Sequence, residues 1–114
     1  MDITLEKEGD ITVLSPQVDH VGADNSKPFS RTFTALVAPG ARVVLDLSPV
    51  KYFDSAGCGA LITCIRHLRS GGGDLKLCGL TTPVRVLFEL VRLHNLLDIL
   101  NTRAEAVRAF QVAG

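Results

Sequence analysis

The 114 residues carry twelve Lys plus Arg against twelve Asp plus Glu, so no long-range field draws in phosphate backbones or anionic lipid, and nucleic-acid binding is not expected. Apolar residues make up 46% and charged residues 21%, which is the balance of a globular chain with one core and excludes a disordered or collagenous one. A single domain over residues 1–114 is therefore the expectation.

The start of the chain, Met1-Asp2-Ile3-Thr4-Leu5-Glu6-Lys7, alternates polar and apolar residues. It reads as neither a signal peptide nor a membrane span, which predicts a cytoplasmic protein with no direct membrane insertion. Cys58, Cys64 and Cys78 form no CxxC pair and read as small buried hydrophobes, with neither a disulfide framework nor a metal site expected.

In chain order, Ile3 and Leu5 share one face of a first short strand, Glu8-Gly9-Asp10 reads as a turn, and Ile11, Val13 and Leu14 begin a second strand reaching about Val18. Phe29, Phe33, Leu36 and Val37 recur at helical spacing within 23–37, Pro28 limits how early the regular helix starts, and Pro39-Gly40 ends it. Val43-Val44-Leu45-Asp46-Leu47 is nearly continuous in apolar residues, as a strand covered on both faces would be, and is the candidate centre of the sheet.

Leu61, Ile65 and Leu68 give an amphipathic helix over 56–69 that Gly71-Gly72-Gly73 breaks, and Leu75-Lys76-Leu77-Cys78 returns as a strand. Thr82 before Pro83 places a capping hydroxyl ahead of a proline at the first helical position. Behind it Val84, Leu87, Phe88 and Val91 form the buried stripe of a helix over about 83–92. A short strand around Ile99-Leu100 precedes Thr102-Arg103-Ala104-Glu105, whose capping-box spacing starts a last helix through Phe110. The predicted fold is α/β, a mixed β-sheet with an opening β-hairpin and about four helices, in the order β-β-α-β-α-β-α-β-α.

The chemistry-bearing stretch is 45–61, a buried strand, a short loop and a glycine-containing helix start. In open α/β sheets the carboxyl ends of strands and the neighbouring helix N-termini make the working edge, and Asp54-Ser55 falls there. Either Asp54 or Ser55 caps this helix. If Asp54 does, Ser55 is the first helical residue, its hydroxyl faces solvent, and the exposed amides and macrodipole tolerate a phosphate. Gly57 and Gly59 allow close approach of either a partner or a neighbouring strand.

The pattern D-L-S-x-V-x-Y-x-D-S-x-G-x-G-x-L over 46–61 resembles the signature of the STAS family, the anti-sigma factor antagonists. The first hairpin ending in Val18-Asp19, the glycine linker before Asp74-Leu75 and the helix from Pro83 are similar to the family layout. The resemblance implies a STAS-like fold and a partner that is both anti-sigma factor and serine kinase. It further implies that phosphorylation of Ser55 ends the binding and that a serine phosphatase resets it. It places Asp19, Asp54, Ser55, Ala56, Gly57, Cys58 and Gly59 on or beside the partner surface. Pro16 stands where the family often has glycine, and Cys58 where leucine is usual.

No enzyme is expected. The elbow G-x-S-x-G fails because Phe53 occupies its first glycine position. His20, His67 and His94 have no HxxxH or HExxH spacing and read as solvated or packing residues. Ile62 takes the place of the third glycine of G-x-G-x-x-G, and no Walker lysine follows a glycine loop, so no nucleotide or other cofactor is implied. Asp46 reads as the cap of its following turn and not as a phosphate acceptor. Two functions remain open: a phospho-regulated antagonist, and a constitutive STAS interaction subunit of a larger assembly such as a lipid-transport ATPase complex.

Overall fold

In a computed structural model, which describes residues 1–111, the middle of the sheet is the apolar run read from the sequence. Strand β4 (Arg42–Asp46) lies between β2 (Ile11–Pro16) and β6 (Asp74–Cys78), with β1 (Ile3–Glu8) and β7 (Ile99–Leu100) at the edges, in the order β1-β2-β4-β6-β7. The β1–β2 hairpin is antiparallel, with Leu5 opposite Leu14, and every other pairing in this sheet is parallel. Parallel strands need covered faces, which is why β4 carries apolar residues at successive positions.

Helices α1 (Ser26–Leu36), α2 (Ser55–Ser70) and α3 (Thr82–Leu90) cover one face. There Leu14, Val43, Leu45 and Leu77 meet Phe29, Phe33, Leu61, Ile65 and Phe88 in the larger core. Helix α4 (Arg103–Gln111) covers the other, where Ile11, Val13, Val44 and Cys78 meet Ala106, Val107 and Phe110. Each large side chain buried this way contributes roughly 1.5–3 kcal/mol. Arg103 fastens α4 to the sheet, donating to Glu6 at 2.9 Å and to Asp46 at 3.0 Å.

The mixed sheet, the opening hairpin and the four helices stand as expected; several boundaries move. The second strand stops at Pro16, short of Val18, and a separate two-residue strand β3 (His20–Val21) follows. It pairs in parallel with β5 (Tyr52–Phe53), forming a second small sheet that sequence reading did not foresee. Two residues are too few to show a period, and the partner lies beyond α1 and β4. Pro16 sits past the last β2–β4 pair, Leu14 with Leu45, so the missing amide removes no bond to β4.

Helix α1 starts at Ser26, three residues later than the pattern allowed, with Pro28 in its first turn, where no intrahelical donor is required. At α3 the cap is Thr81, not Thr82, so Pro83 is the second helical residue. The Thr81 hydroxyl does not cap either; it donates to the Val50 carbonyl at 3.1 Å and ties α3 to the strand-β5 side. Val91, expected in the buried stripe, lies just past the helix and is half exposed. The capping box at α4 forms as read, the Thr102 amide donating to Glu105 and the Glu105 amide to the Thr102 hydroxyl. Asp46 accepts from the Ser48 amide at 3.0 Å, as a turn cap does. All three cysteines are buried and free.

Candidate functional site

The chain leaves β5 at Phe53 and turns at Asp54, whose extended backbone (φ −110°, ψ −172°) makes it the N-cap of α2. Of the two capping residues the sequence left open, the structure uses Asp54. Its Oδ1 accepts from the Gly57 amide at 2.9 Å, and its Oδ2 accepts from the Ala23 amide at 3.0 Å. One carboxylate thus joins the start of α2 to the loop that leads into α1. These two amides, Gly57 first and Ala23 second, hold the Asp54 carboxyl below its ordinary pKa because they favour the charged form.

With Asp54 capping, Ser55 is the first residue of α2 and is exposed, its hydroxyl not needed for the cap. No acidic residue lies in the first turn of α2, so the positive end of the helix macrodipole is balanced only by the cap itself. The close approach made possible by Gly57 is to a neighbouring strand: a Cβ there would stand 2.0 Å from the Val21 carbonyl oxygen of β3. Gly59 points into open space. Gly22, next after β3, leaves room for the Asp54 carboxylate, which a Cβ would meet at 2.7 Å.

His20 lies at this edge as well. Its Nδ1 is 2.9 Å from Asp19 Oδ1, its Nε2 is 2.9 Å from both carboxylate oxygens of Asp24, and its ring stacks on Tyr52 at 5.3 Å between centroids. Asn25 braces the same loop, donating to the His20 carbonyl at 2.9 Å and accepting from the Gly22 amide at 2.8 Å. The two carboxylates raise the His20 pKa, Asp19 first. The sequence offered no sign of this cluster beyond an Asp-His pair and an aspartate four positions on, which is an unremarked spacing in a loop.

A sequence model of the STAS domain matches residues 2–106. The chain belongs to the STAS domain family. It is 32% identical over 114 residues to a Bordetella bronchiseptica protein named as an anti-sigma factor antagonist, BtrV, covering 99% of this chain and 97% of that one. A crystal structure from Thermotoga maritima, described as of an anti-sigma factor antagonist, superposes with a TM-score of 0.85 at 21% identity, covering 94% of this chain and 92% of that one. The Bacillus cell fate determinant SpoIIAA superposes in its unphosphorylated form with a TM-score of 0.69 at 16% identity, covering 97% and 99% of the two chains. In its phosphorylated form the values are 0.67, 17%, 96% and 99%. At these identities the superpositions speak for the fold.

In this STAS domain the residues singled out from sequence fall into two groups. Asp19, Asp54, Ser55 and Gly59 are exposed and Ala56 is half-buried along one edge. Gly57 and Cys58 turn inward; Cys58 is 7% exposed and packs with the larger core, so what it lends the edge is support from beneath. Desolvation raises its thiol pKa, with the Asp54 charge adding to the effect. A shallow cavity of about 330 Å3 lies at the opposite end of the sheet, lined by Leu5, Leu36 and Arg42 among others. Its charged groups are already engaged, Arg42 with Asp10 and Lys7 with the Thr12 hydroxyl.

Proposed function

We propose that this STAS domain is a cytoplasmic anti-sigma factor antagonist that docks an anti-sigma factor with serine-kinase activity along the edge bearing Asp19, Asp54, Ser55 and Gly59. Phosphorylation of Ser55 ends the docking, and a serine phosphatase restores it. The observation that carries this reading is the division of labour at the α2 N-terminus, where Asp54 caps and Ser55 is left exposed beside it. A phosphate there meets the positive end of the helix macrodipole, so the fold accepts it. Close to two added negative charges on a tightly packed docking surface are not accepted by a partner arranged around a neutral serine. Likeness to BtrV and to SpoIIAA, a protein known in unphosphorylated and phosphorylated forms, supports the same reading.

The test immobilises the wild-type chain and the variants Ser55→Asp and Ser55→Ala, and captures partners from the native lysate with and without ATP. Capture of an anti-sigma factor kinase by wild type and Ser55→Ala, lost in Ser55→Asp and lost from wild type with ATP as phosphate appears on Ser55, is the expected result. Equal capture of a membrane ATPase by all three forms, with Ser55 unmodified, overturns it in favour of a constitutive subunit.

A further inference from the structure

The imidazole of His20 stands between two carboxylates, with Asp19 at one ring nitrogen and Asp24 at the other. A carboxylate only accepts, so both contacts are hydrogen bonds only if both ring nitrogens carry protons. A neutral ring has one N–H; its other nitrogen would then set a lone pair against a carboxylate at 2.9 Å. Hence the arrangement is that of an imidazolium, and it is complete only while His20 is charged.

The loop this cation holds is short and leads straight to the switch. Asp24 is one residue past Ala23, whose amide donates to Asp54 Oδ2, and Asp54 caps the helix that Ser55 begins. On the other side the ring rests on Tyr52, two residues before Asp54. The charged and titratable groups around the ring are Asp19 before β3, Asp24 in the loop to α1, Asp54 at the α2 cap, and Tyr52 with Lys51 on the β5 side. Asp19 and Asp24 contact the cation, Asp54 lies within Coulombic reach of it with its oxygens turned to the Gly57 and Ala23 amides, and Lys51 acts on Asp19 from the β5 side.

We propose that His20 is a positioning residue for the docking edge: its doubly protonated ring clamps Asp24 to Asp19, sets the Ala23 amide against the Asp54 cap, and makes docking at Ser55 dependent on the His20 proton. The docking half rests on the function proposed above; the loop half does not. The His20 pKa lies above the ordinary 6.5, through Asp19 first and Asp24 second. The clamp is therefore fully present below that ordinary value and is lost as pH rises through the raised one.

The experiment follows the imidazole resonances of His20 and the amide resonances of Ala23 and Gly57 by NMR, on the chain alone, between about pH 5 and pH 9. His20→Gln removes the charge, and His20→Arg keeps a planar cation at every pH used. In the wild type, the Ala23 and Gly57 amides are expected to move along the His20 titration curve. In His20→Gln they stay at their high-pH positions, and in His20→Arg at their low-pH positions. Amides that ignore the His20 titration, or a His20→Gln variant that keeps the low-pH positions, overturn the proposal whatever partner is found.

Affinity for the captured anti-sigma factor, measured over the same range, is expected to fall about fivefold or more as His20 deprotonates in the wild type. It should stay constant in His20→Arg. A wild-type affinity that is flat while the amides move sinks the docking half alone. Failure to capture any such partner counts against the proposed function and leaves the amide result to decide the clamp.

Discussion

The Val21 carbonyl oxygen occupies the space that a side chain on Gly57 would need, 2.0 Å from where the Cβ would stand. The obstacle is backbone, so it cannot rotate away; either β3 or the first turn of α2 has to move. Gly57→Ala is expected to destabilise the fold by roughly 1–3 kcal/mol, as overpacking does. Gly59→Ala, two positions on and facing open space, is expected to stabilise it by about 0.5–1 kcal/mol, because alanine restricts the unfolded chain and favours helix. Urea unfolding midpoints of the two variants should therefore shift in opposite directions.

Asp54 gives a pH signature. Its carboxyl is held below the ordinary 3.8 by the Gly57 and Ala23 amides, so its contribution is fully present above that ordinary value and is lost as pH falls through the lowered one. Asp54→Asn should melt below wild type at neutral pH, with the gap closing as the solution is acidified toward the bottom of the carboxylate range. A gap constant across that range would show that the carboxylate's charge plays no part in the cap.

Ser55→Asp tests whether the helix end accepts charge. An acidic side chain in the first turn faces the positive end of the macrodipole, and it is expected to leave the melting temperature unchanged or slightly raised. Circular dichroism melts decide it. A marked drop in melting temperature would mean that loss of docking in this variant reports unfolding, not charge.

Burial holds the Cys64 and Cys78 thiols at about 12 and raises that of Cys58. Folded protein at mildly alkaline pH is expected to be almost inert to a disulfide reagent that reports thiolate, and all three thiols should react once guanidinium unfolds the chain. Rapid labelling of one thiol in the folded state would locate a local opening, with Cys58 nearest the edge.

Among the described residues, Arg103 is one of two polar attachments of α4 to the sheet, beside the Arg42 guanidinium that donates to the Phe110 carbonyl at 3.1 Å. Arg103→Ala leaves Asp46, whose side chain is 14% exposed, without its cation and is expected to cost about 1–3 kcal/mol in urea unfolding. Arg103→Lys can restore one of the two contacts and should recover part of the loss.

Much of this architecture is legible in the residues, for identifiable reasons. Val43 to Leu47 reads as a central strand because burial on both faces erases alternation, and Thr102 with Glu105 reads as a cap because its two hydrogen bonds fix a three-residue spacing. The edge around Ser55 is less legible. Asp54 and Ser55 are equivalent caps by type; Asp54 takes the Gly57 amide with one oxygen and the Ala23 amide, supplied from another segment, with the other, and that second bond is not visible in the local pattern. β3 and β5 have no periodic signal, and His20 takes its importance from Asp24 and Tyr52, one placed by a turn and the other by strand pairing. At α3 the Thr81 hydroxyl goes to the Val50 carbonyl and not to a helix amide, a tertiary contact no local pattern encodes, and the helix begins at Thr82.

The pairing of β3 with β5 also bears on how the protein is made. Val21 and Phe53 pair across a stretch of chain that contains α1 and β4, so the edge carries the loop-closure entropy of that whole stretch, and a short peptide around Ser55 lacks its β3 partner. During synthesis the β3–β5 edge can close once α2 has begun to form, before β6 arrives to cover the far side of β4 and before α4 seals the second face. A nascent chain stalled between those points would display its switch on a half-built sheet, with the flank of β4 still open to other strands.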